Sequence, residues 1–276
     1  MAARTIWKGS VTFGLVMIPV GVTSASENRD VAFKQVHGVD GGLINYRRVC
    51  TACGEMVEYA EVAKGFLRDD GEIIVMTDED FADLPLATAK SIEVVHFCPE
   101  GQIAPELTDK LYYLNPGDGA ERAYGLVLEA MSKANKVAVA KVALRGGRER
   151  LAVIRAIALT VNGSVTGVLA MSTLRWPDEI RRPAELELPR GRKQELTMAT
   201  SLISSMTADF DPDAHTDGYR QAVIASVEAK SSGTPLADRP EQPAPREQSL
   251  VDALQASLDA AAKPAPGKRT PRKRSA

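Results

Sequence analysis

Two cysteines three positions apart, Cys50 and Cys53, are the residues of this chain best suited to metal or redox chemistry. They frame residues 50–54 (CTACG), a spacing typical of one half of a zinc knuckle, in which a tight turn lets two thiolates meet one metal ion. A second Cys-x-x-Cys is missing, and His37 is a further soft ligand nearby. Three interpretations stay open: zinc held by Cys50, Cys53 and His37, a turn with reduced thiols and no metal, and a redox dithiol. The turn without metal is favoured, since the second cysteine pair is missing and no βαβ pattern surrounds the first.

Catalytic patterns are missing from the sequence. It holds three histidines, no Gly-x-Ser-x-Gly elbow, no Walker loop and no Gly-x-Gly-x-x-Gly. Acidic pairs such as Glu79/Asp80 and Asp209/Asp211 lie in cap and turn contexts, where solvated charge is the ordinary interpretation. No reaction class follows, so we expect a protein that is not an enzyme. A nuclease using carboxylates and a divalent metal is the enzymatic rival.

Basic side chains gather in three stretches, a pattern suited to phosphate groups. The first stretch lies within residues 28–68, the second is a polar turn, and the third is the C-terminal tail. The first stretch contains Lys34, Arg47, Arg48, Lys64 and Arg68. The second contains Arg145, Arg148 and Arg150, and the third contains Lys268, Arg269, Arg272, Lys273 and Arg274. The alternative for each stretch is an ordinary solvated surface.

The net charge of −2 hides an uneven distribution of charge. Residues 263–276 hold six basic residues and no acid, which leaves 28 basic and 36 acidic residues in the body, a net charge of −8. Such a body excludes a wholly basic surface. It still permits a local basic groove, because salt screens exposed charges beyond roughly 10 Å.

Length and composition predict a globular protein of one or two domains. The 276 residues are 44% hydrophobic, enough to bury a sizeable core. Three cysteines argue against a disulfide-stapled secreted domain, and the N-terminus has no signal-peptide pattern. Two uncharged runs, 9–26 and 156–174, carry turn residues and are interpreted as β structure. We therefore expect a cytoplasmic protein, associated with the nucleoid if it binds DNA, and no membrane partner.

Alternation and turn signals predict a β-barrel or a β-rich α+β domain around one helix at 119–135. One half-buried strand is expected over 6–23, with Pro19 ending it or lying at an edge. Asn162-Gly163 predicts a hairpin between two of the later strands. The remaining predicted strands are 72–77, 91–97, 111–114, 136–144, 151–161 and 164–175. Residues 28–68 read as an extended hairpin excursion from this core.

The C-terminal part predicts helices and a linker. Residues 192–210 carry an apolar stripe at helical spacing, formed by Leu196, Ala199, Ile203, Met206 and Phe210. A second helix is expected over 217–229, and the pair forms either an arm or a cover folded onto the barrel. A Pro-rich linker follows over 231–248. The last predicted helix, with Leu250, Leu254 and Leu258 on one stripe, either docks a partner or packs on its own chain.

Several segments together resemble the bacterial Ku family, homodimeric relatives of the eukaryotic Ku heterodimer in non-homologous end joining. They occur in family order over roughly residues 5–230. They are 6–15 (IWKGSVTFGL), 18–20 (IPV), 47–54 (RRVCTACG), 62–65 (VAKG), 77–80 (TDED), 112–116 (YYLNP), 173–180 (TLRWPDEI), 209–212 (DFDP) and Tyr219-Arg220. After His37 the chain departs from the family, because it reads Gly38–Gly42 where some relatives carry a further cysteine.

The resemblance implies a β-rich α+β fold: a Ku-type β-barrel core with an extended bridge hairpin, a C-terminal helical arm and a flexible basic tail. The expected divisions are 1–188 for the core including the bridge at about 28–68, 189–230 for the dimerisation arm, 231–248 for the linker, 249–262 for a docking helix and 263–276 for the tail.

The function implied is that of a non-catalytic ring. A homodimer would encircle double-stranded DNA ends without sequence specificity and recruit the multi-domain bacterial end-joining DNA ligase. The basic stretches are then candidates for DNA binding, the 196–210 stripe for the dimer interface and the 250–258 stripe for ligase docking. No cofactor is expected beyond the open zinc alternative. The rival function is a zinc-ribbon-containing protein that binds nucleic acid nonspecifically.

Overall fold

The structure, a computed structural model, describes residues 4–82, 90–144, 148–161, 163–234 and 250–261. The chain divides into two compact units. The first comprises Met1–Arg29 and Phe33–Pro183, and the second comprises Asp30–Ala32 and Ala184–Ala276. The first unit contains all of the strands described.

The first unit is rich in β structure. Its strands are β1 (Thr5–Phe13), β2 (Val16–Ser24), β3 (Lys64–Leu67), β4 (Ile73–Met76), β5 (Ser91–Cys98), β6 (Thr108–Pro116), β7 (Val137–Ala143), β8 (Glu149–Val161) and β9 (Ser164–Leu174). Two helices accompany them, the short α1 (Asp78–Ala82) and α2 (Glu121–Ala134). The predicted helix over 119–135 is therefore confirmed, and so are the strands predicted from residue 72 onward, although β6 extends beyond the predicted 111–114 at both ends.

Seven strands close into a barrel in the order β1-β2-β6-β9-β8-β7-β5. Neighbours are antiparallel except β1 and β5, whose short parallel pairing of Ser10–Thr12 with Ser91–Glu93 closes the ring. Ile18, Ile92, Leu114, Ile154 and Met171 are among the fully buried side chains of its core. The barrel, one of the two fold classes that alternation left open and the one that the resemblance implies, is confirmed.

The single strand predicted over 6–23 is wrong, because β1 and β2 form a hairpin there. Phe13 pairs with Val16 across a two-residue turn in which Gly14 has φ +56°. Because of this turn, odd-numbered positions such as Val11 face the core in β1, whereas even-numbered positions such as Ile18 face it in β2. Leu15 and Met17 are exposed. Pro19 lies within β2 and accepts a hydrogen bond from the Gly117 N–H, so it does not end the strand.

The hairpin predicted at residues 162–163 is confirmed by strand pairing. Val161 of β8 pairs with Ser164 of β9, and Gly163 has φ +80°, as a tight two-residue turn requires. Asn162 lies outside the described residues.

Helix α2 packs against β8 and β9 and contributes Tyr124 and Met131 to the barrel core. The Tyr124 hydroxyl donates to the Leu114 carbonyl at 2.7 Å and accepts from the Leu169 N–H at 2.7 Å. One buried side chain thus joins β6 to β9 where their pairing ends. Burial raises the pKa of Tyr124 and keeps the hydroxyl protonated for this role.

Between β2 and α1 the chain makes the predicted excursion, almost wholly exposed. Two isolated bridges, Val36 with Leu43 and Val49 with Met56, define two small loops. Beyond them β3 and β4 pair as a separate two-stranded ribbon. Because it has few ladder bonds and no buried apolar residues among those described, the excursion contributes no core of its own.

The second unit contains α3 (Lys193–Met206), α4 (Gly218–Ser232) and α5 (Leu250–Ala261), of which α3 and α5 contact each other. The prediction that the first of these helices continues to Phe210 is wrong. It ends at Met206, followed by Thr207 with extended backbone. Asp211 is extended as well, as expected before Pro212.

Parts of the predicted C-terminal organisation lie outside the described residues. They are 235–249, which include most of the predicted linker, and 262–276, which include the basic tail. Among the residues described, no helix has the length and apolar character needed to cross a membrane.

Candidate nucleic-acid interface

The excursion presents cations with few neutralising partners. Lys34, Arg47 and Arg48 are exposed, and the described residues offer none of them an ion pair. Lys34 precedes the first small loop, while the two arginines lie between the first and the second. These three side chains are the excursion cations most available to an external anion.

Arg47 and Arg48 are adjacent and engage different neighbours. The Arg47 Nη1 lies 3.6 Å from the Met56 sulfur, and the Arg48 guanidinium lies 4.9 Å from the centre of the Tyr59 ring. Contacts with a thioether and an aromatic face orient a guanidinium while leaving its charge unpaired. Both arginines are thus held in place and remain electrostatically active.

The two other excursion cations are partly neutralised. Lys64 lies 3.5 Å from Asp78 and over the Phe81 ring. Arg68 is flanked by Asp70 at 3.3 Å and Glu72 at 2.8 Å. Two carboxylates outweigh one guanidinium, so Arg68 is the weakest of the five candidates for phosphate contact.

Strand pairing places the second basic stretch at the barrel end from which the excursion departs. Ser24, the last residue of β2, pairs with Tyr112 near the start of β6, and Thr108 of β6 pairs with Leu174 at the end of β9. Glu149 begins β8 at the same end, opposite Ala143. Arg148 and Arg150 therefore lie at this end, which we call the excursion end. Arg145 lies outside the described residues.

Carboxylates orient these arginines. Asp109 accepts from Arg150 at 3.1 Å and from Arg175 at 3.0 Å, and Glu179 pairs with Arg148. The Trp176 N–H, and then Arg148, lower the pKa of Glu179, which keeps this partner ionised. The sequence predictions missed Asp109, Lys110 and Arg175. Treating 111–114 as the whole of β6 placed Asp109 and Lys110 outside the strands whose pairing brings them together. Arg175 ended the predicted strand 164–175 but belonged to none of the three basic stretches.

The cysteine pair forms the expected tight turn. The Gly54 N–H donates to the Cys50 carbonyl at 2.9 Å, and Gly54 has φ +75°. The backbone N–H groups of Cys53 and Ala52, followed by the Cys53 thiol, lower the pKa of Cys50. His37 belongs to the other small loop, where its Nδ1 lies 3.0 Å from Asp40. Within the part of the chain that the structure describes, no group of three or more His, Cys, Asp or Glu side chains could hold a metal ion.

The predicted dimer stripe is divided in the structure. Leu196, Ile203 and Met206 are 65%, 67% and 72% exposed on α3, whereas Ala199 is half-buried. Phe210 lies beyond the helix, 82% exposed, and stacks on His215. An apolar face of α3 therefore stays uncovered by the residues that the structure describes.

The predicted docking helix α5 is in contact with its own chain. Leu254 and Leu258 are half-buried, as are Met198 and Leu202 of α3, the helix that α5 contacts. Nothing is described for the side chain of Leu250. The tail residues Lys268, Arg269, Arg272, Lys273 and Arg274 lie outside the described residues.

Comparison with known proteins gives a consistent family. The family model described as "Ku70/Ku80 beta-barrel domain" matches residues 12–200. The "Non-homologous end joining protein Ku" of Frankia casuarinae is 44% identical over 268 residues, which are 96% of this chain and 65% of that protein. The protein of the same name from Mycolicibacterium smegmatis is 40% identical over 268 residues, covering 94% and 82% of the two chains.

A phage protein and a distant structure complete the comparison. "Protein Ku" of Mycobacterium phage Omega is 41% identical over 267 residues, covering 95% of this chain and 86% of its own. Among solved structures, the SPOC domain of human PHD-finger protein 3 covers 65% of this chain at a TM-score of 0.33 and 13% identity, too distant to indicate a shared function. The chain spans just under two thirds of the Frankia relative's length.

Proposed function

Since this chain belongs to the Ku family, we propose that it binds double-stranded DNA ends without sequence specificity, as a ring-shaped homodimer in non-homologous end joining. The observation that carries the proposal is the set of exposed excursion cations that have no ion pair among the described residues. The excursion that bears them leaves the barrel at the end where Arg148 and Arg150 lie. Both parts lie within the matched residues 12–200.

Recognition of DNA through its backbone phosphates suits the binding of ends of any sequence. End joining must accept any sequence, so hydrogen bonds to base edges are of no use, whereas contacts to backbone phosphates carry no sequence information. Lys34, Arg47 and Arg48 supply charge that releases counterions from the duplex. Preference for ends then comes from topology, because a closed ring admits a duplex only through a free terminus.

The homodimer and the ligase are proposals about the second unit. The uncovered apolar face of α3, with Leu196, Ile203 and Met206 exposed, supports an interface with a second copy. The leucine stripe of α5 supports docking of the multi-domain end-joining ligase. We further propose that the chain itself catalyses no step, that its tail adds nonspecific contact with the duplex, and that it works at the nucleoid.

One assay tests the proposal against its rivals. Gel shift is measured on linear duplex, on duplex with hairpin-blocked ends and on closed circular duplex, each with and without chelator and with magnesium. We expect binding to linear duplex, little binding to the circle, and no effect of chelator. Equal binding to the circle would overturn the ring.

The second candidate, a nonspecific zinc-ribbon binder, is favoured by the facing thiols of Cys50 and Cys53. It predicts stoichiometric zinc that is lost in Cys50→Ser, binding abolished by chelator, and equal binding to linear and circular duplex. Metal analysis of the purified protein, together with the same gel shifts, separates the two candidates. Cleavage in magnesium would instead indicate a nuclease.

A further inference from the structure

A cavity of about 350 Å³ opens at the excursion end of the barrel. Residues of strands β1, β6, β8 and β9 line it, together with Leu144 and Arg148. The polar side chains around it are Asp109, Lys110, Tyr112, Arg148, Arg150 and Thr173. The mouth of a β-barrel is a common position for a ligand site.

Strand alternation turns several of these side chains toward the barrel interior. Tyr112 shares a strand face with Leu114, which is fully buried, and Arg150 shares one with Ala152 and Ile154. Interiors of small barrels are ordinarily filled by packed side chains. Here the apolar layers give way at the mouth to a layer containing a guanidinium and a phenol, which packing of the core does not require.

Charge in this mouth is positive on balance. Lys110, Arg148 and Arg150 line the cavity against the single carboxylate of Asp109. Asp109 also binds Arg175, and Glu179 binds Arg148, so four cations and two carboxylates make up the local set. Within the described parts of the chain, Lys110 has no ion pair and the Tyr112 hydroxyl has no hydrogen bond. A net charge of about +2 thus surrounds a cavity with unused donors.

We propose that this mouth is a binding site for a phosphate group. Lys110 and Arg150 supply the charge, and the Tyr112 hydroxyl donates one hydrogen bond. Asp109 is a positioning residue, because it fixes Arg150 and Arg175 by accepting from both. Phosphate is favoured over carboxylate because its oxygens, spread over a tetrahedron, can meet donors arriving from β6 and β8 on different sides.

The phosphate can belong to DNA or to a small soluble compound, since the recognition chemistry is the same. The inference therefore does not rest on binding of DNA ends, and it is tested first without DNA. Full-length protein is titrated with inorganic phosphate by calorimetry, and thermal unfolding is compared in phosphate and in chloride at equal ionic strength.

We expect saturable phosphate binding and a higher Tm in phosphate than in chloride. Lys110→Gln and Tyr112→Phe should each weaken phosphate binding by about tenfold, since a hydrogen bond to a charged group contributes roughly the free energy that a tenfold change represents. Tyr112→Phe keeps the ring, and Lys110→Gln replaces the ammonium group by an uncharged amide on a slightly shorter side chain. Neither change removes a described hydrogen bond. Lys133→Gln, at an exposed position of α2, is the matched control and should bind phosphate like the wild type. Phosphate that acts no differently from chloride, or variants that bind it as the wild type does, would overturn the site.

The same variants identify the source of the phosphate. Lys110→Gln is tested on linear duplexes with 5′-phosphate ends, with 5′-hydroxyl ends and with internal methylphosphonates. If Lys110→Gln binds one of these duplexes more weakly than the wild-type protein does, the site is assigned to a DNA phosphate. Unchanged duplex binding beside weakened inorganic phosphate binding assigns it to a soluble phosphate compound. Failure of the proposed function would appear in a different measurement, because the wild-type protein would then bind circular duplex as well as it binds linear duplex.

Discussion

At the scale of single residues, the candidate interface depends on how each cation is partnered. Five excursion cations look alike in the sequence, yet Arg68 lies between two carboxylates whereas Arg47 and Arg48 have none. An exposed ion pair contributes little to stability, but it reduces the charge available to a polyanion. The phosphate contacts are therefore expected mainly from Lys34, Arg47 and Arg48.

Reversing the charge of both arginines tests this expectation. Arg47→Glu with Arg48→Glu should weaken duplex binding to a similar degree on unrelated sequences. It should also flatten the salt dependence, by a slope of about 0.9 for each lost phosphate contact. Binding isotherms on two duplexes of different sequence, at several salt concentrations, measure both effects.

Arg122→Glu with Lys133→Glu is the matched control for net charge. These residues are exposed on α2, away from the excursion, and their reversal should leave the salt slope unchanged. Loss of binding to one sequence only would contradict phosphate readout.

A second residue-scale prediction concerns the bridge between β6 and β9. Tyr124→Phe removes the hydroxyl that serves the Leu114 carbonyl and the Leu169 N–H, leaving two buried polar groups unsatisfied. Each such group costs about 1–3 kcal/mol, so the free energy of unfolding should fall by at least that amount. Urea denaturation measures it. Tyr113→Phe, on a neighbouring half-buried position, should change little, and equal effects of the two would contradict the bridging role.

At the scale of elements, the excursion and α5 differ in whether another element covers their apolar side chains. The excursion carries apolar side chains, among them Phe33, Tyr46 and Phe66, that the described residues leave exposed. Helix α5 was predicted either as a docking helix or as a helix packed on its own chain, and it contacts α3. A partner that docks through Leu254 and Leu258 therefore competes with the contact between α5 and α3. Otherwise it binds those residues of α5 that do not contact α3.

Truncation at Gln248 tests the role assigned to α5. We expect the shortened chain to bind duplex ends like the full chain but to lose stimulation of the end-joining ligase. Gel shift and a ligation assay with the purified ligase measure the two properties. Leu254→Asp with Leu258→Asp should reproduce the loss of stimulation, and Ser257→Asp is the control on the exposed side. Full stimulation by the truncated chain would place the docking site elsewhere.

At the scale of the whole molecule, the described part of a single copy leaves an apolar face on α3 exposed to water. Ring closure requires two chains, and α3 is the proposed contact between them. Ile203→Asp places a charge on that face, which a buried interface tolerates poorly. We expect monomers in sedimentation and loss of stable binding to DNA ends.

Ser204→Asp separates this effect from a general effect on the helix. Ser204 is the next position on α3, exposed and outside the stripe, so its change should leave the dimer intact. A dimer that survives Ile203→Asp would place the interface on another surface.

Much of the fold was determined by the sequence alone, since period-2 alternation, the Asn162-Gly163 turn and the α2 stripe are local signals. The β-rich fold, the helix over 119–135 and the later hairpin were all predictable in this way, whereas the same signals left a β-barrel and a β-rich α+β domain both open. The β1–β2 hairpin was not, because the apolar run continues through Gly14 and Leu15 without a polar turn. The end of α3 was missed because Phe210 keeps the helical spacing after the backbone has become extended.

Only the tertiary structure decided which charges are free and which share a site. Asp109, Lys110, Tyr112 and Arg150 are brought together by pairing between strands far apart in sequence, and Arg68 is neutralised by neighbours that a simple count of basic residues ignores. Composition fixes how many charges a chain carries. Their partners, and hence the potential that an anion meets, depend on distances of a few ångströms, which exist only once the barrel is closed.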